Sequence, residues 1–265
     1  MSNENILLYE KNNKVARITL NRPDKLNSFN DELTFALQDA LDSASKDQEV
    51  KAIILTGAGR GFCAGQDLAS RNIQDDNTSF NLGDSIRRRY NPIITRIRRI
   101  EKPVIASING VAAGAGASLA FACDFKYAVD DVKFIQSFSK VGLVPDSGST
   151  FFLPRLIGVT KAFELMLLAS PLLAKDAKNL GLINDSFATF EELTQAVNEL
   201  ANKLANGPTF AYALTKRAVN KAIFNDLEEL LEYEASLQEL AGNSSDFKEG
   251  VQAFINKREP VYIGK

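Results

Sequence analysis

The 265-residue sequence has no histidine and no tryptophan, and only two cysteines and two methionines. Without histidine the chain has no Ser-His-Asp or Cys-His nucleophile, no H-E-x-x-H zinc site and no imidazole base. Any acid–base work falls to Asp, Glu, Lys, Tyr or Cys, and no metal site is expected. Two cysteines, Cys63 and Cys123, in a chain whose Met1 to Asn5 opening is polar and unlike a secretory leader, read as free thiols. No apolar run approaches bilayer-spanning length. Charge of one sign is also lacking. Lys and Arg number 31 against 33 Asp and Glu, for a formal net charge of −2, which gives no bulk electrostatic reason to expect a nucleic-acid or membrane partner. These absences describe a soluble, cytoplasmic protein.

What is present is a pair of small-residue turns, Gly61-Phe62-Cys63-Ala64-Gly65-Gln66-Asp67-Leu68 and Gly110-Val111-Ala112-Ala113-Gly114-Ala115-Gly116-Ala117-Ser118. Each follows an apolar run that reads as a buried strand, Ala52 to Thr56 and Pro103 to Ile108. Turns stripped of side-chain cover expose backbone N–H groups, and two of them converging on one ligand oxygen would hold it as negative charge develops. A lone acid follows in Val144-Pro145-Asp146-Ser147-Gly148. Asp146 is a candidate base, and Phe138, Val144, Phe151 and Phe152 are expected to surround it with apolar bulk. Pro-Asp-Ser-Gly is equally good β-turn chemistry, and on pattern alone the turn reading is favoured.

Around these turns the pattern is mixed α/β. Ile6 to Glu10 and Val15 to Leu20 alternate about Asn12-Asn13 as a hairpin, and Leu33, Leu37, Ala40, Leu41 and Ala44 recur at helical spacing behind an Asn30 cap. Residues Ser70 to Leu82 are polar and aperiodic, as in a surface loop beside the first turn. Ile86 to Ile100 reads as one basic helix, whose arginines are expected to form a solvated face, as a charge run on a helix usually does, with no aromatic interleaving that suggests base stacking. From Phe190 the pattern is helical, which divides the chain into 1–188 and a helical region, 189–265. Asp226-Leu227-Glu228-Glu229 predicts an acid-led capping box opening a helix with the stripe Leu227, Leu230, Leu231, Leu237 and Leu240. That stripe needs cover, from the chain's own sheets or from another subunit.

Both turns, the entry Asn21-Arg22-Pro23-Asp24-Lys25-Leu26-Asn27-Ser28 and the tail Ser245 to Phe254 together resemble the crotonase (enoyl-CoA hydratase/isomerase) family, nearly end to end. The resemblance implies an α/β fold, a spiral of ββα units with a helical C-terminal trimerisation region. It implies an acyl-CoA thioester as substrate, with no cofactor beyond the CoA that the substrate carries, and a homotrimer or dimer of trimers. It assigns the oxyanion donors to the backbone N–H groups of Gln66 and Ala115. It places Lys25, Leu26 and Ala64 at the CoA, Asp67 and Leu68 at the acyl entrance, and Phe254 and Lys257 near a CoA phosphate or adenine, from this subunit or a neighbouring one. Hydratases of the family carry glutamates where this chain has Ser118 and Phe138, so hydration by that pair does not transfer. Asp146 stands where a subset of isomerases places a catalytic aspartate, and this shifts its reading from turn to base. The strings around it are most like those of the branch that isomerises 1,2-epoxyphenylacetyl-CoA to an oxepin in phenylacetate degradation, a group also associated with Δ3-to-Δ2 enoyl-CoA shifts. Hydration or another reaction on the same scaffold is the second reading, and noncatalytic binding of CoA thioesters or RNA the third.

Overall fold

The computed structural model describes residues 5–68, 81–223 and 225–265. The expected loop at residues 70–80 therefore lies outside the described residues, and Leu82 already opens a short helix. The hairpin is formed by β1 (Leu7–Asn12) and β2 (Val15–Leu20), paired antiparallel across Asn13 and Lys14, both left-handed. A 3-10 turn at Pro23–Lys25 leads to α1 (Asp31–Lys46), whose cap is Asn30, accepting from the Leu33 N–H at 2.9 Å. Then come β3 (Ala52–Gly57) and β4 (Gly61–Cys63), followed beyond the first turn by α2 (Leu82–Ser85) and α3 (Asn91–Arg99). The middle of the chain runs β5 (Val104–Ile108), β6 (Val111–Ala113), α4 (Ala115–Ala122), β7 (Phe125–Val129) and β8 (Lys133–Ile135). It continues through α5 (Ser149–Ile157), α6 (Val159–Leu168), β9 (Leu172–Leu173), α7 (Ala174–Asn179) and β10 (Asp185–Phe187). Four helices close it: α8 (Phe190–Ala205), α9 (Thr209–Ala222), α10 (Leu227–Gly242) and α11 (Ser245–Ile255).

Two sheets share these strands. One has the order β1-β2-β3-β5-β7-β10 and the other β4-β6-β8-β9. Three times the chain leaves a strand of the first sheet for one of the second, in β3 to β4, β5 to β6 and β7 to β8, and then returns through helix. Each ββα turn thus adds one parallel strand to each sheet, and the result is a spiral.

Period-2 alternation explains why the inner strands are apolar on both faces. Ile53 and Leu55 of β3 face the spiral interior, whereas Ala52 and Ile54, with Ile105 of β5, pack against Leu193, Val197 and Ala201 of α8. The helix α8 is held at its start by a full capping box between Thr189 and Glu192, which the sequence reading did not single out.

Two local expectations are corrected. The basic segment is not one regular helix: a π-turn occupies Ile86–Tyr90 between α2 and α3, and its Arg88 and Arg89 carbonyls are taken up by the buried Gln38 amide at 3.1 Å each. At Asp226 the cap bond to the Glu229 N–H is present at 2.9 Å, but the Glu229 carboxylate accepts from the Asn225 side chain, so the box is not closed there. No helix among the described residues is long and apolar enough to cross a membrane.

Candidate active site

Because β4, β6 and β8 are adjacent and parallel, the segments leaving their C-terminal ends lie side by side although about 50 and 20 residues of chain separate them. The contact is too close for side chains. A Cβ on Gly116 would overlap the Cys63 carbonyl, and one on Gly65, whose φ is +91°, would stand 2.8 Å from the Ala113 oxygen and 3.5 Å from the Ala115 nitrogen. Those two glycines let the Gln66 turn rest directly on the start of α4. Gly114 extends the strand ladder by donating to the Ile135 carbonyl at 2.9 Å.

Each turn presents an amide. Gln66 forms a parallel bridge with Phe29 in which the flanking groups do the bonding: Phe29 N–H to the Gly65 carbonyl at 2.7 Å, Asp67 N–H to the Phe29 carbonyl at 2.9 Å. In such a ladder the Gln66 N–H is directed away from Phe29. Ala115 is the first residue of α4, so its N–H is among those a helix leaves unused within itself, and the positive end of the helix dipole adds to it.

The surrounding predicted residues gather here. The Ala64 N–H donates to the Leu26 carbonyl at 3.0 Å, Lys25 ends the 3-10 turn just before it, and Leu68 is exposed beside Asp67. Asp67 is ion-paired with Arg22 at 2.9 Å. The sequence reading missed the braces behind them. Asn27, fully buried, accepts from the Arg22 N–H and donates to the Ala58 and Gly61 carbonyls, and Asn109 donates to the Gly59 carbonyl. Both are asparagines at the mouth of a Gly-rich turn, where the backbone carbonyls need donors.

The third strand brings in Asp146. The turn and the candidate base prove compatible, because Asp146 begins a reverse turn: the Ser149 N–H donates to its carbonyl at 3.0 Å, across Ser147 (φ +52°) and Gly148 (φ +80°). The Ser147 hydroxyl donates to the Asp146 carboxylate at 2.8 Å. Ser118, one turn into α4 and fully buried, lies with its Oγ 3.2 Å from the Asp146 carbonyl, 3.1 Å from the Gly114 carbonyl and 2.6 Å from the Ser149 Oγ. Phe138 is buried, and its ring lies about the start of α4, with its Cζ 3.8 Å from where a Gly114 Cβ would be. Of the expected apolar surround, Val144 is 78% exposed, because Val141 to Val144 run along the surface before the Asp146 turn re-enters, and Phe151 and Phe152 pack edge to face on each other under Arg155 and Arg98.

Phe254 and Lys257 are not drawn into this cluster by any of the contacts that build it. They sit at the end of α11, which packs on α10 and on the C-terminal segment, and Phe254 is 86% exposed. Nearby, Arg258 and the Val261 N–H hold the Glu249 carboxyl down to about 2. Cys63 lies inside the first turn, but burial pushes its thiol up to about 12, which removes it as a nucleophile at neutral pH. Most of the basic stretch is engaged internally: Arg87 with Asp84, Arg89 with Asp31, Arg96 with Asp42, Arg98 with Asp124, and Lys102 on the Ala44, Ser45 and Asp47 carbonyls at the end of α1.

Residues 10–265 match the model of a family described as enoyl-CoA hydratase/isomerase. The chain is 46% identical over 251 residues to the 1,2-epoxyphenylacetyl-CoA isomerase of Escherichia coli, covering 95% of each chain. It is 34% identical to the short-chain-enoyl-CoA hydratase of Clostridium acetobutylicum over 256 residues, 96% of each. Among solved structures, the enoyl-CoA hydratase of Mycobacterium smegmatis superposes with a TM-score of 0.91 at 30% identity, covering 98% of this chain and 99% of that one.

Proposed function

The chain belongs to the enoyl-CoA hydratase/isomerase family, and from that premise we propose that it is an acyl-CoA isomerase with Asp146 as its base. One observation carries this reading: the two positions at which the family's hydratases hold glutamates are here a buried serine and a buried phenylalanine, while the Asp146 main chain is bonded to that same Ser118. The acid–base group at this site is then a single carboxylate, and a single carboxylate suits a reaction with no net gain or loss of water.

In this mechanism the thioester oxygen sits between the Gln66 and Ala115 amides. Asp146 takes the Cα proton of a Δ3-enoyl-CoA, the electron pair delocalises into the adjacent carbonyl and, by conjugation with C3=C4, onto C4, and the resulting dienolate oxygen is held by the two N–H groups. The carboxylic acid returns the proton at C4, and the double bond ends between C2 and C3. With 1,2-epoxyphenylacetyl-CoA the same base takes a Cα proton and returns it to a ring carbon, while the carbon–carbon bond of the epoxide breaks to give the seven-membered oxepin. One such amide is worth about 2.7–4 kcal/mol of barrier, and base catalysis by a positioned side chain contributes about 10²–10⁴-fold.

On the same reading Lys25, Leu26 and Ala64 receive the CoA and Asp67 and Leu68 border the acyl entrance. Phe254 and Lys257 reach a CoA bound to a neighbouring copy in a homotrimer or dimer of trimers. Exposed Leu227, Leu231, Phe254 and Ile255 support such an assembly, since apolar side chains grouped on helices mark an interface. The hydratase relatives favour hydration as the second reading.

Both readings are tested by following each CoA ester in water labelled with deuterium and oxygen-18. Isomerisation shifts the double bond with no uptake of labelled oxygen, and Asp146→Asn lowers that turnover by about 10²–10⁴-fold. Thioester affinity in this variant stays within about tenfold, some 1.4 kcal/mol. Uptake of labelled oxygen at C3, or full turnover by Asp146→Asn, rejects the proposal.

A further inference from the structure

We infer that Ser118 and Ser149 are positioning residues, a buried hydroxyl pair that fixes the Asp146 main chain against the amide of Ala115. The inference rests on the reading of Asp146 as base and Ala115 as oxyanion donor, and concerns what holds them at a constant separation.

Every residue of α4 is buried, and Ser118 is its one hydroxyl among alanine, glycine, leucine and phenylalanine. A buried hydroxyl is costly unless it is bonded, so its partners determine whether it is tolerated. Ser118 Oγ has three within reach: the Gly114 carbonyl, the Asp146 carbonyl and Ser149 Oγ. It has a single proton. That proton serves the two carbonyls, and the Ser149 hydroxyl, also fully buried, donates into the Ser118 oxygen across 2.6 Å. This assignment satisfies both hydroxyls.

The mechanical consequence follows from where the partners lie. Gly114 immediately precedes the Ala115 donor, and Ser149 is the first residue of α5. The Asp146 carbonyl receives bonds from both elements, Ser118 Oγ on α4 and Ser149 N–H on α5. Between them the chain passes through a left-handed Ser147, a conformation that L-residues adopt only where the surroundings hold it. The pair therefore clamps a turn that would otherwise relax, and relaxation would carry the carboxylate away from the carbon it must reach.

The test is a double-mutant cycle with Ser118→Ala, Ser149→Ala and the double variant, read as kcat, KM and thermal midpoint on a Δ3-enoyl-CoA. Each single variant lowers kcat by about tenfold to a hundredfold, the loss expected for a misplaced group, while KM changes little. The double variant falls no further than the worse single one, and Ser149→Thr, which keeps a hydroxyl, recovers most of the rate. In an Asp146→Asn background, Ser118→Ala has no further effect. Unchanged kcat in folded single variants, or losses that multiply in the double variant, overturns the inference. If Asp146→Asn is inactive and the serine variants are fully active, the clamp alone falls. If Asp146→Asn turns over normally, the base assignment falls and takes the clamp with it.

Discussion

The spiral and the C-terminal helices are both built from apolar stripes, yet they end in opposite states. In β3, β5 and α4 every residue is buried. In α10, of sixteen residues only Leu237 is buried, and Leu227, Leu231 and Leu240 of the same stripe stay exposed. The difference lies in what surrounds each element. A spiral strand meets a neighbouring strand and a covering helix from its own chain, whereas α10 packs chiefly on α9, leaving most of its surface uncovered. The first region is finished by the chain itself, and the second leaves its apolar stripe uncovered.

The sharpest way to break that comparison is at the finished end. Proline at the first position of a helix is well tolerated, so Ala115→Pro removes one amide proton with little strain in α4. It should lower kcat by about 10²–10³-fold with the fold retained, measured by steady-state kinetics beside circular dichroism. A fully active, folded variant would show that the Ala115 amide is not part of the site. At the unfinished end the effect is on assembly: Leu227→Asp with Leu231→Asp should shift the particle in solution toward the single-chain mass of 29.0 kDa, read by light scattering, with far-UV helicity unchanged. The wild-type mass, if it is already 29.0 kDa, contradicts the proposed trimer. The smallest effect is a null one. Burial pushes both Cys63 and Cys123 up to about 12, so at pH 8 their thiolate fraction is minor. Native protein should resist a thiol reagent that labels both residues once the chain is unfolded.

Local chemistry was readable without coordinates. Asn30 and Asp226 cap helices as side-chain oxygens at those positions do, and the alternation of β2 places its apolar residues inward. The two Gly/Ala segments follow β3 and β5, begin as β4 and β6 and turn beyond them, where small residues are required by the approach of Gly65 and Gly116 to the neighbouring backbone. The misses have a common cause. The π-turn at Ile86–Tyr90 depends on a Gln38 amide from another helix, and the clamp at Ser118 depends on a turn 28 residues further on. The exposure of Val144 likewise reflects the path of the chain rather than its apolar character. None of these long-range partners leaves a periodic or spacing signal.

The amino-acid order alone determined the hairpin, α1, the Asn30 and Asp226 cap bonds, the exclusion of imidazole chemistry and the two amide-bearing turns, because each depends on neighbours within a few residues. The tertiary structure alone decided that Gln66, Ala115 and Asp146 belong to one cluster. The reason is the spiral topology, which makes β4, β6 and β8 adjacent, and the buried hydroxyl of Ser118, which joins the last turn to the helix of the second.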